Sequence, residues 1–181
     1  MGVPEREGKM NFRGWARIWW ATGATMAVTS VAAEELSSFV TPQDGARACW
    51  SREYSAEHLA DHPDQLVTAM RFTMQFDQDF HHFQLDADLR GEQSGRTTGS
   101  CWEHEGVISC RVDCDGGGVQ IGHAADGKIV LDLAAHGYVR MTDSCGENEA
   151  GGFPLEAGKD DKEFLLSPAS GKACKPLDWA N

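Results

Sequence analysis

The sequence predicts an all-β domain of about eight mostly antiparallel strands, arranged as an up-and-down barrel or as a two-sheet sandwich. Apolar and polar residues alternate along several segments, as in strands with one dry and one wet face. Turn residues separate these segments, and no pattern of crossover helices indicates a parallel sheet. The barrel is favoured because closure removes the open edges of a sheet.

Residues 1–33 of the 181-residue chain have the pattern of a secretory signal peptide. Arg13 and Arg17 precede an uncharged stretch over 18–33, which ends in small residues before Glu34. This is the order of a basic region, an apolar region and a cleavage site. The apolar stretch falls short of the roughly 20 residues that span a bilayer, which disfavours an uncleaved anchor.

The predicted cleavage site follows Ala33, with the position one residue earlier as the alternative. Two glutamates near the start do not suit a signal peptide, so Met10 is an alternative first residue. Residues 34–181 then form a single exported β domain, periplasmic or extracellular. It has no membrane span once the signal is removed.

One short helix is predicted near the start of this domain. The Ser55 hydroxyl can cap residues 56–61, and Pro63 ends the helix because the residue before a proline avoids helical geometry. We expect the helix to pack across one end of the barrel.

The first two strands are predicted over 66–76 and 83–90, with a polar break at 77–79. In the first strand, Leu66 belongs to the apolar row and Val67 to the opposite face. The second strand is the clearest in the chain because apolar and polar residues alternate without interruption. Its inward row, Phe83, Leu85 and Leu89, can either line a ligand cavity or fill a solid core.

Six further strands complete the predicted set. They are placed at 98–104, 107–113, 119–123, 129–133, 136–141 and 163–167. Loops are expected over 91–98, at the Gly-rich turn 115–118, and over 146–162, which is rich in Gly and acidic residues. Between the strands at 119–123 and 129–133, a three-residue loop with Gly127 in the left-handed conformation would pair Ile121 with Leu131 and Val119 with Leu133. A two-residue loop would place Ile121 opposite Asp132 and mix the two faces.

An even number of cysteines in an exported chain predicts disulfides. The six are Cys49, Cys101, Cys110, Cys114, Cys145 and Cys174. If Glu105-Gly106 is a two-residue hairpin loop, Cys101 and Cys110 face each other closely enough to form a cross-strand disulfide. A three-residue loop would shift this register by one. The remaining cysteines are paired by guess as Cys114–Cys145 and Cys49–Cys174. Zinc binding by Cys110 and Cys114 is the rival interpretation.

Charge limits the possible partners. The chain has 16 basic and 28 acidic residues, a net charge of −12, and the signal peptide carries four of the basic and two of the acidic residues, so the exported domain has −14. A nucleic acid needs a basic footprint, so no nucleic acid is expected as a partner. A small apolar ligand or a basic protein is the predicted partner.

Histidines supply the main candidate chemistry. His58 and His62 are four residues apart and would share a helix face, as for a metal site, but Pro63 disturbs that geometry. With Asp61 they also form a candidate hydrolase set. His81 and His82 are adjacent and would point to opposite faces of a strand.

Other motifs give weaker signals. The sequence from Asp113 begins like a calcium loop but lacks the glutamate at its twelfth position. Asp160 and Asp161 are expected to form a solvated acidic turn, and Asp86 and Asp88 to lie on an exposed polar face. The three tryptophans of the exported domain are expected in the core or at the barrel mouth; they are Trp50, Trp102 and Trp179.

In strand count and length the domain resembles lipocalin-like barrels. This resemblance implies the architecture of the domain and does not indicate its function. We therefore predict an exported, disulfide-bonded binding or structural module that is not an enzyme, with no cofactor, no catalytic residues and no metal ligands assigned. Two alternatives remain. One is a metal-handling protein that uses histidines and carboxylates, and the other is a hydrolase built on His58, Asp61 and His62.

Overall fold

Eight antiparallel strands close into a barrel, which confirms the predicted fold class. In the computed structural model the described residues are 35–142, 152–170 and 176–177. The strands are β1 (Arg47–Glu53), β2 (Val67–Asp77), β3 (Phe80–Leu89), β4 (Ser94–His104), β5 (Val107–Val112), β6 (Gly118–His123), β7 (Ile129–Asp132), β8 (Tyr138–Met141), β9 (Phe153–Glu156) and β10 (Glu163–Ala169). The helices are α1 (Leu36–Phe39) and α2 (Ala56–Asp61).

The barrel is an up-and-down meander. From β1 to β7 each strand pairs with the next along the chain, and β10 lies between β7 and β1. Every one of these pairs is antiparallel. The remaining strands, β8 and β9, form a separate two-stranded sheet. The barrel is therefore the correct choice between the two predicted architectures.

Three strands correct the predicted set. Strand β1 is absent from the predicted set because Cys49 and Trp50 are both buried, on opposite faces, so apolar and polar residues do not alternate there. The strand predicted over 136–141 exists as β8 but lies outside the barrel. Strand β9 lies within the predicted long loop over 146–162, where Pro154 is tolerated because the strand is short and has a single partner.

A register shift at the start of β2 reverses the predicted positions of Leu66 and Val67. Val67 is completely buried, whereas Leu66 is 51% exposed. The pairing with β3 is irregular between Val67 and Ala69, as in a β-bulge, so the two-residue period breaks there. The prediction that Leu66 belongs to the inward row is therefore wrong.

Strand β4 begins earlier than predicted. Residues 94–98 were expected in a loop, since they contain Gly, Ser, Thr and Arg, but they pair with β3 along their whole length. The loop between the two strands covers only 90–93. Small polar residues and glycine have a low propensity for strands, so the composition of this segment predicts a loop. Pairing with β3 outweighs this weak local preference.

Two tight hairpins have the predicted register. Both central residues of the β4–β5 loop, Glu105 and Gly106, have positive φ, 53° and 77°. This conformation matches the twist of the flanking strands and places Cys101 opposite Cys110. The two cysteines form a disulfide with a Cα–Cα distance of 4.0 Å, as predicted.

The β6–β7 connection also follows the prediction for its first pair. Ile121 lies opposite Leu131, and Gly127 has a φ of 70°. The ladder ends where Gln120 meets Asp132, so the predicted pairing of Val119 with Leu133 lies beyond it. The bulged loop thus keeps apolar residues on one face.

The inward side chains fill the barrel. Phe83 and Leu85 are completely buried, and the ring of Phe83 stacks on Phe72 at a centroid distance of 5.7 Å. Leu131 and Phe164 join the same cluster from the opposite wall. An eight-stranded barrel is narrow enough for side chains to fill its interior. The predicted inward row therefore contributes to a packed core.

Both ends of the barrel are covered. At one end Phe39 of α1 is buried and stacks on His123 at 3.8 Å. At the other end Met141 of β8 lies so close to Gly95 of β4 that a Cβ on this glycine would come within 2.6 Å of the methionine Cβ. One-turn helix α1 has no sequence signal, whereas α2 has its predicted bounds.

The predicted cap of α2 is present, since Ser55 Oγ accepts a hydrogen bond from the His58 N–H at 3.2 Å. No described cysteine is free, and Cys49 and Cys114 are disulfide-bonded. Their predicted partners, Cys145 and Cys174, lie outside the described residues, as do the predicted signal peptide and Trp179. No helix within the described ranges is long and apolar enough to cross a membrane.

Candidate functional site

The two histidines singled out in the sequence lie in a column of stacked side chains. The ring of His58 lies between those of Tyr54 and His62, with centroid distances of 4.8 and 4.3 Å. The guanidinium carbon of Arg52 lies over the ring of Tyr54, 5.2 Å from its centroid. The column lines a pocket of about 340 Å³ where α2 meets the start of β10.

A buried glutamine orients His58. Gln65 is 3% exposed, and its amide N–H donates to the Val67 carbonyl at 2.7 Å. The amide oxygen therefore faces His58 Nε2, at 3.0 Å, and must accept a hydrogen bond from it. Neutral His58 consequently carries its proton on Nε2 and leaves Nδ1 as the basic nitrogen.

The stacking does not present a metal site. An ion needs in-plane lone pairs from both imidazoles that converge on one point, whereas the rings of His58 and His62 are only 25° from parallel. Across the described ranges there is no group of three His, Cys, Asp or Glu residues arranged to hold an ion. The geometry gives the metal-handling alternative no support from this pair.

The third member of the predicted hydrolase set does not join the histidines. Asp61 is exposed and makes none of the hydrogen bonds or ion pairs found in the described part of the chain. The carboxylate nearest His62 belongs instead to Asp160, whose Oδ2 lies 3.9 Å from Nδ1. Ser55, the adjacent hydroxyl, caps α2.

Asp161 corrects the expectation of a solvated acidic turn. It is 1% exposed and accepts hydrogen bonds from the backbone N–H of Leu66 at 2.6 Å and of Val67 at 3.3 Å. Burial raises the pKa of its carboxyl above the usual value, against the lowering effect of these two hydrogen bonds. The carboxylate thus ties the chain before β10 to the start of β2.

The neighbouring histidines of β3 point to opposite faces, as predicted. His81 is buried and its Nε2 lies 2.9 Å from the Val40 carbonyl oxygen, so it fastens the segment after α1 to the barrel. His82 lies on the outer face, where partial burial lowers the pKa of its imidazole. Only the outer one can contribute to a surface site.

Large apolar side chains are exposed on the outer surface near the β2–β3 and β4–β5 turns. Phe80 is 62% exposed, Trp102 is 42% exposed and Val107 is 44% exposed. Phe80 and Trp102 directly adjoin the paired residues His81 and Cys101 and therefore lie side by side on the outer surface. We call Phe80, His82, Trp102 and Val107 the aromatic face.

Trp50 and Trp102 show why composition alone does not locate this face. Trp50 is 6% exposed, and its indole N–H donates to the Gly127 carbonyl at 3.0 Å, as expected for a core residue. Trp102 is neither core nor barrel plug, so that expectation is wrong for it. Adjacent residues of a strand point to opposite faces, so an inward Cys101 predicts that Trp102 points outward.

Exposed carboxylates lie in and beside the two turns at the end of the aromatic face. Asp79 lies in the β2–β3 turn, and Glu103 and Glu105 lie at the end of β4 and in the following turn. All three are exposed. Asp79 and Glu105 thus give the aromatic face an acidic border at its end. Glu103 shares the inward face of Cys101. On the outer face the exposed Arg111 lies opposite Ser100, which in turn pairs with His82.

Asp86 and Asp88 lie on the outer face of β3, as predicted, but Asp86 is engaged by cations. Arg96 Nε donates to Asp86 Oδ1 at 2.7 Å, and Arg71 lies 3.6 Å from its other oxygen. The amide of Gln84 also donates to Asp86, at 2.9 Å. A polar groove of about 670 Å³ on the outside of the barrel is lined in part by Arg71, Asp86, Asp88 and Arg96.

The fold and its cysteines define the class of this protein as a disulfide-bonded, up-and-down β-barrel with a filled interior. Comparison with known proteins does not narrow this class. No protein-family model, no curated protein and no solved structure matches the chain.

Proposed function

We propose that this protein is an exported, non-enzymatic binding module whose aromatic face docks on a basic partner protein. The observation that carries the proposal is the exposure of Phe80 and Trp102 next to each other on a sheet surface. Exposed apolar side chains are ordinary when scattered, but a contiguous group with a polar rim is typical of an interaction site. Tryptophan in particular is enriched among residues that dominate binding energy.

Charge complementarity selects the kind of partner. Asp79 and Glu105 lie in the turns at the end of the aromatic face, and the exported domain carries a net charge of −14. A basic partner is steered toward this potential, whereas an acidic one is repelled. Lys and Arg side chains can also lie over the faces of Trp and Phe, where the ring quadrupole attracts a cation.

The hairpin that carries Trp102 is held in place before binding. The disulfide between Cys101 and Cys110 joins β4 to β5 at the residue next to the tryptophan. A surface that is already ordered loses less conformational entropy when a partner docks. This rigidity supports a binding role for the end of the hairpin.

The filled interior favours an external site over a ligand in the lumen. Phe72, Phe83 and Leu85 occupy the centre of the barrel, and none of them is exposed to solvent. Export remains part of the proposal, supported by the signal-like sequence and by disulfides, which persist in oxidising compartments.

Short peptides of defined charge can test this function. We would measure binding of a Lys-Phe-Lys-Phe-Lys peptide to the purified, oxidised protein by isothermal titration calorimetry, beside Glu-Phe-Glu-Phe-Glu and Lys-Ser-Lys-Ser-Lys. The first peptide should bind at low salt, because it combines cations with apolar side chains. The acidic peptide should not bind, and the peptide without phenylalanine should bind more weakly.

Matched variants locate the site. Phe80→Ser and Trp102→Ser should each weaken binding of the first peptide by roughly tenfold or more, as for central interface residues. Leu165→Ser removes an equally exposed apolar side chain, 44% exposed, from β10 and should leave binding unchanged. Equal binding by all three variants, or equal binding of the basic and acidic peptides, would refute the proposal.

A further inference from the structure

A second polar surface spans β1 to β4 near the other end of the barrel. The register of these strands brings their outward side chains into two adjacent rows. The first row runs Ser51, Arg71, Asp86, Arg96, and the second runs Glu53, Ala69, Asp88, Ser94. Both rows line the groove of about 670 Å³. We call it the two-row groove.

The first row presents cations. Asp86 lies between Arg71 and Arg96 and holds both guanidinium groups, so the row carries two positive charges and one negative charge. The Nε of Arg71 is buried and has no acceptor among the described residues. The side chains of Arg71 and Arg96 are 43% and 51% exposed, so a carboxylate in the groove can reach both guanidinium groups and accept charge-assisted hydrogen bonds from them.

The second row presents anions. Glu53 and Asp88 flank the small side chain of Ala69, and both acidic residues are exposed. No basic residue belongs to this row. Residues two apart on a strand lie about 7 Å apart on the same face, which sets the spacing between the rows.

We infer that the two-row groove binds a small zwitterion, with its carboxylate on the arginines of the first row and its ammonium group on Asp88 and Glu53. The spacing of the rows suits charges separated by about one dipeptide rather than the adjacent charges of a single amino acid. Charge-assisted hydrogen bonds at both ends give this ligand an advantage over one with a single charge. The site is separate from the aromatic face and does not depend on the proposed partner.

Glycylglycine and its blocked forms test the inference on the intact, oxidised protein. We would follow backbone amide shifts by two-dimensional NMR at pH 7 during titration with glycylglycine, N-acetylglycylglycine and glycylglycinamide. Glycylglycine should shift resonances of Ser51, Asp86 and Asp88. Removal of either terminal charge should weaken binding by about tenfold or more, the equivalent of one charge-assisted hydrogen bond.

Variants separate the two rows. Arg96→Gln should weaken binding of glycylglycine, and so should Asp88→Asn, whose exposed position makes it compatible with folding. Arg111→Gln removes an exposed arginine from the outer face of β5 and should have no effect. The inference is overturned if the blocked forms bind as well as glycylglycine, if glycylglycine does not bind, or if folded Asp88→Asn binds it unchanged.

Discussion

Cys101 and Cys110 lie directly opposite each other across the β4–β5 hairpin, and their disulfide faces inward while the next pair, Trp102 and Ser109, faces outward. One register therefore determines both a covalent link and an exposed aromatic side chain. A shift by a single residue would separate the cysteines and turn the tryptophan toward the core. The two-residue loop at Glu105 and Gly106 sets this register.

Replacing both cysteines of this pair by alanine should lower the free energy of unfolding. The disulfide closes a short loop, with a sequence separation of 9, and loop-closure entropy in the unfolded chain corresponds to about 2–3 kcal/mol for such a length. Urea denaturation of oxidised Cys101→Ala/Cys110→Ala and of the unaltered protein measures the difference. An unchanged midpoint and slope would contradict a stabilising role for this disulfide.

Substitution of Gly99 by alanine should be destabilising out of proportion to its size. A Cβ at this position would lie 2.1 Å from the Arg111 carbonyl oxygen and 2.8 Å from the ring of Phe83. The backbone of β5 or the aromatic ring has to move, and such overpacking costs about 1–3 kcal/mol. Thermal unfolding of Gly99→Ala beside Ser100→Ala, one residue further along β4, measures the effect. Equal melting temperatures would show that the barrel accommodates the extra methyl group.

The sequence predicts the hairpin registers correctly, but it does not predict strands in which apolar and polar residues fail to alternate. The pairs Cys101–Cys110 and Ile121–Leu131 follow from turn geometry and the two-residue period, which are local. Strand β1 escapes prediction because Cys49 and Trp50 are buried on opposite faces, so no alternation remains. The strand at 136–141 lies outside the barrel because it pairs with β9, and local sequence patterns do not predict this pairing.

The candidate sites show the same limit. Helix spacing predicts that His58 and His62 are neighbours, and they are, but the stacking of Tyr54 on His58 depends on the end of β1. The two-row groove joins residues from four strands, and only the complete register reveals it. The outward position of Trp102 in the aromatic face follows from the local sequence, because Trp102 is next to the inward Cys101 on a strand.

Thr97 offers a test of core polarity. Its side chain is completely buried, and its hydroxyl has no hydrogen-bond partner in the described part of the barrel. Leaving such a group unsatisfied costs about 1–3 kcal/mol, so Thr97→Val should match or exceed the stability of the unaltered protein. Thr68→Val, which removes a hydroxyl that donates to the Asp88 carbonyl at 3.0 Å, should be destabilising. Urea denaturation compares them, and a marked loss of stability in Thr97→Val would mean that its hydroxyl is satisfied.

Asp161 should make stability depend on pH in the acidic range. Burial raises the pKa of its carboxyl in the folded protein above 3.8. Between the unfolded and folded values the folded state retains a proton that the unfolded state releases. The contribution of Asp161 to stability is therefore fully present below the unfolded pKa and is lost as pH rises through the folded pKa.

The variant Asp161→Asn isolates this contribution. The asparagine has one amide oxygen in place of two carboxylate oxygens, so it cannot accept both hydrogen bonds from the N–H groups of Leu66 and Val67 as Asp161 does. This loss changes the free energy of unfolding by an amount that does not vary with pH. The free energy of unfolding of the variant minus that of the unaltered protein should increase as pH rises above 3.8. This difference should become constant above the folded pKa of Asp161. Asp160→Asn, which removes the neighbouring charge on the same segment, should largely preserve the original pH profile, since burial is the main cause of the shift. Urea denaturation across this range decides the matter, because a constant difference between Asp161→Asn and the unaltered protein would show that the carboxyl titrates alike in both states.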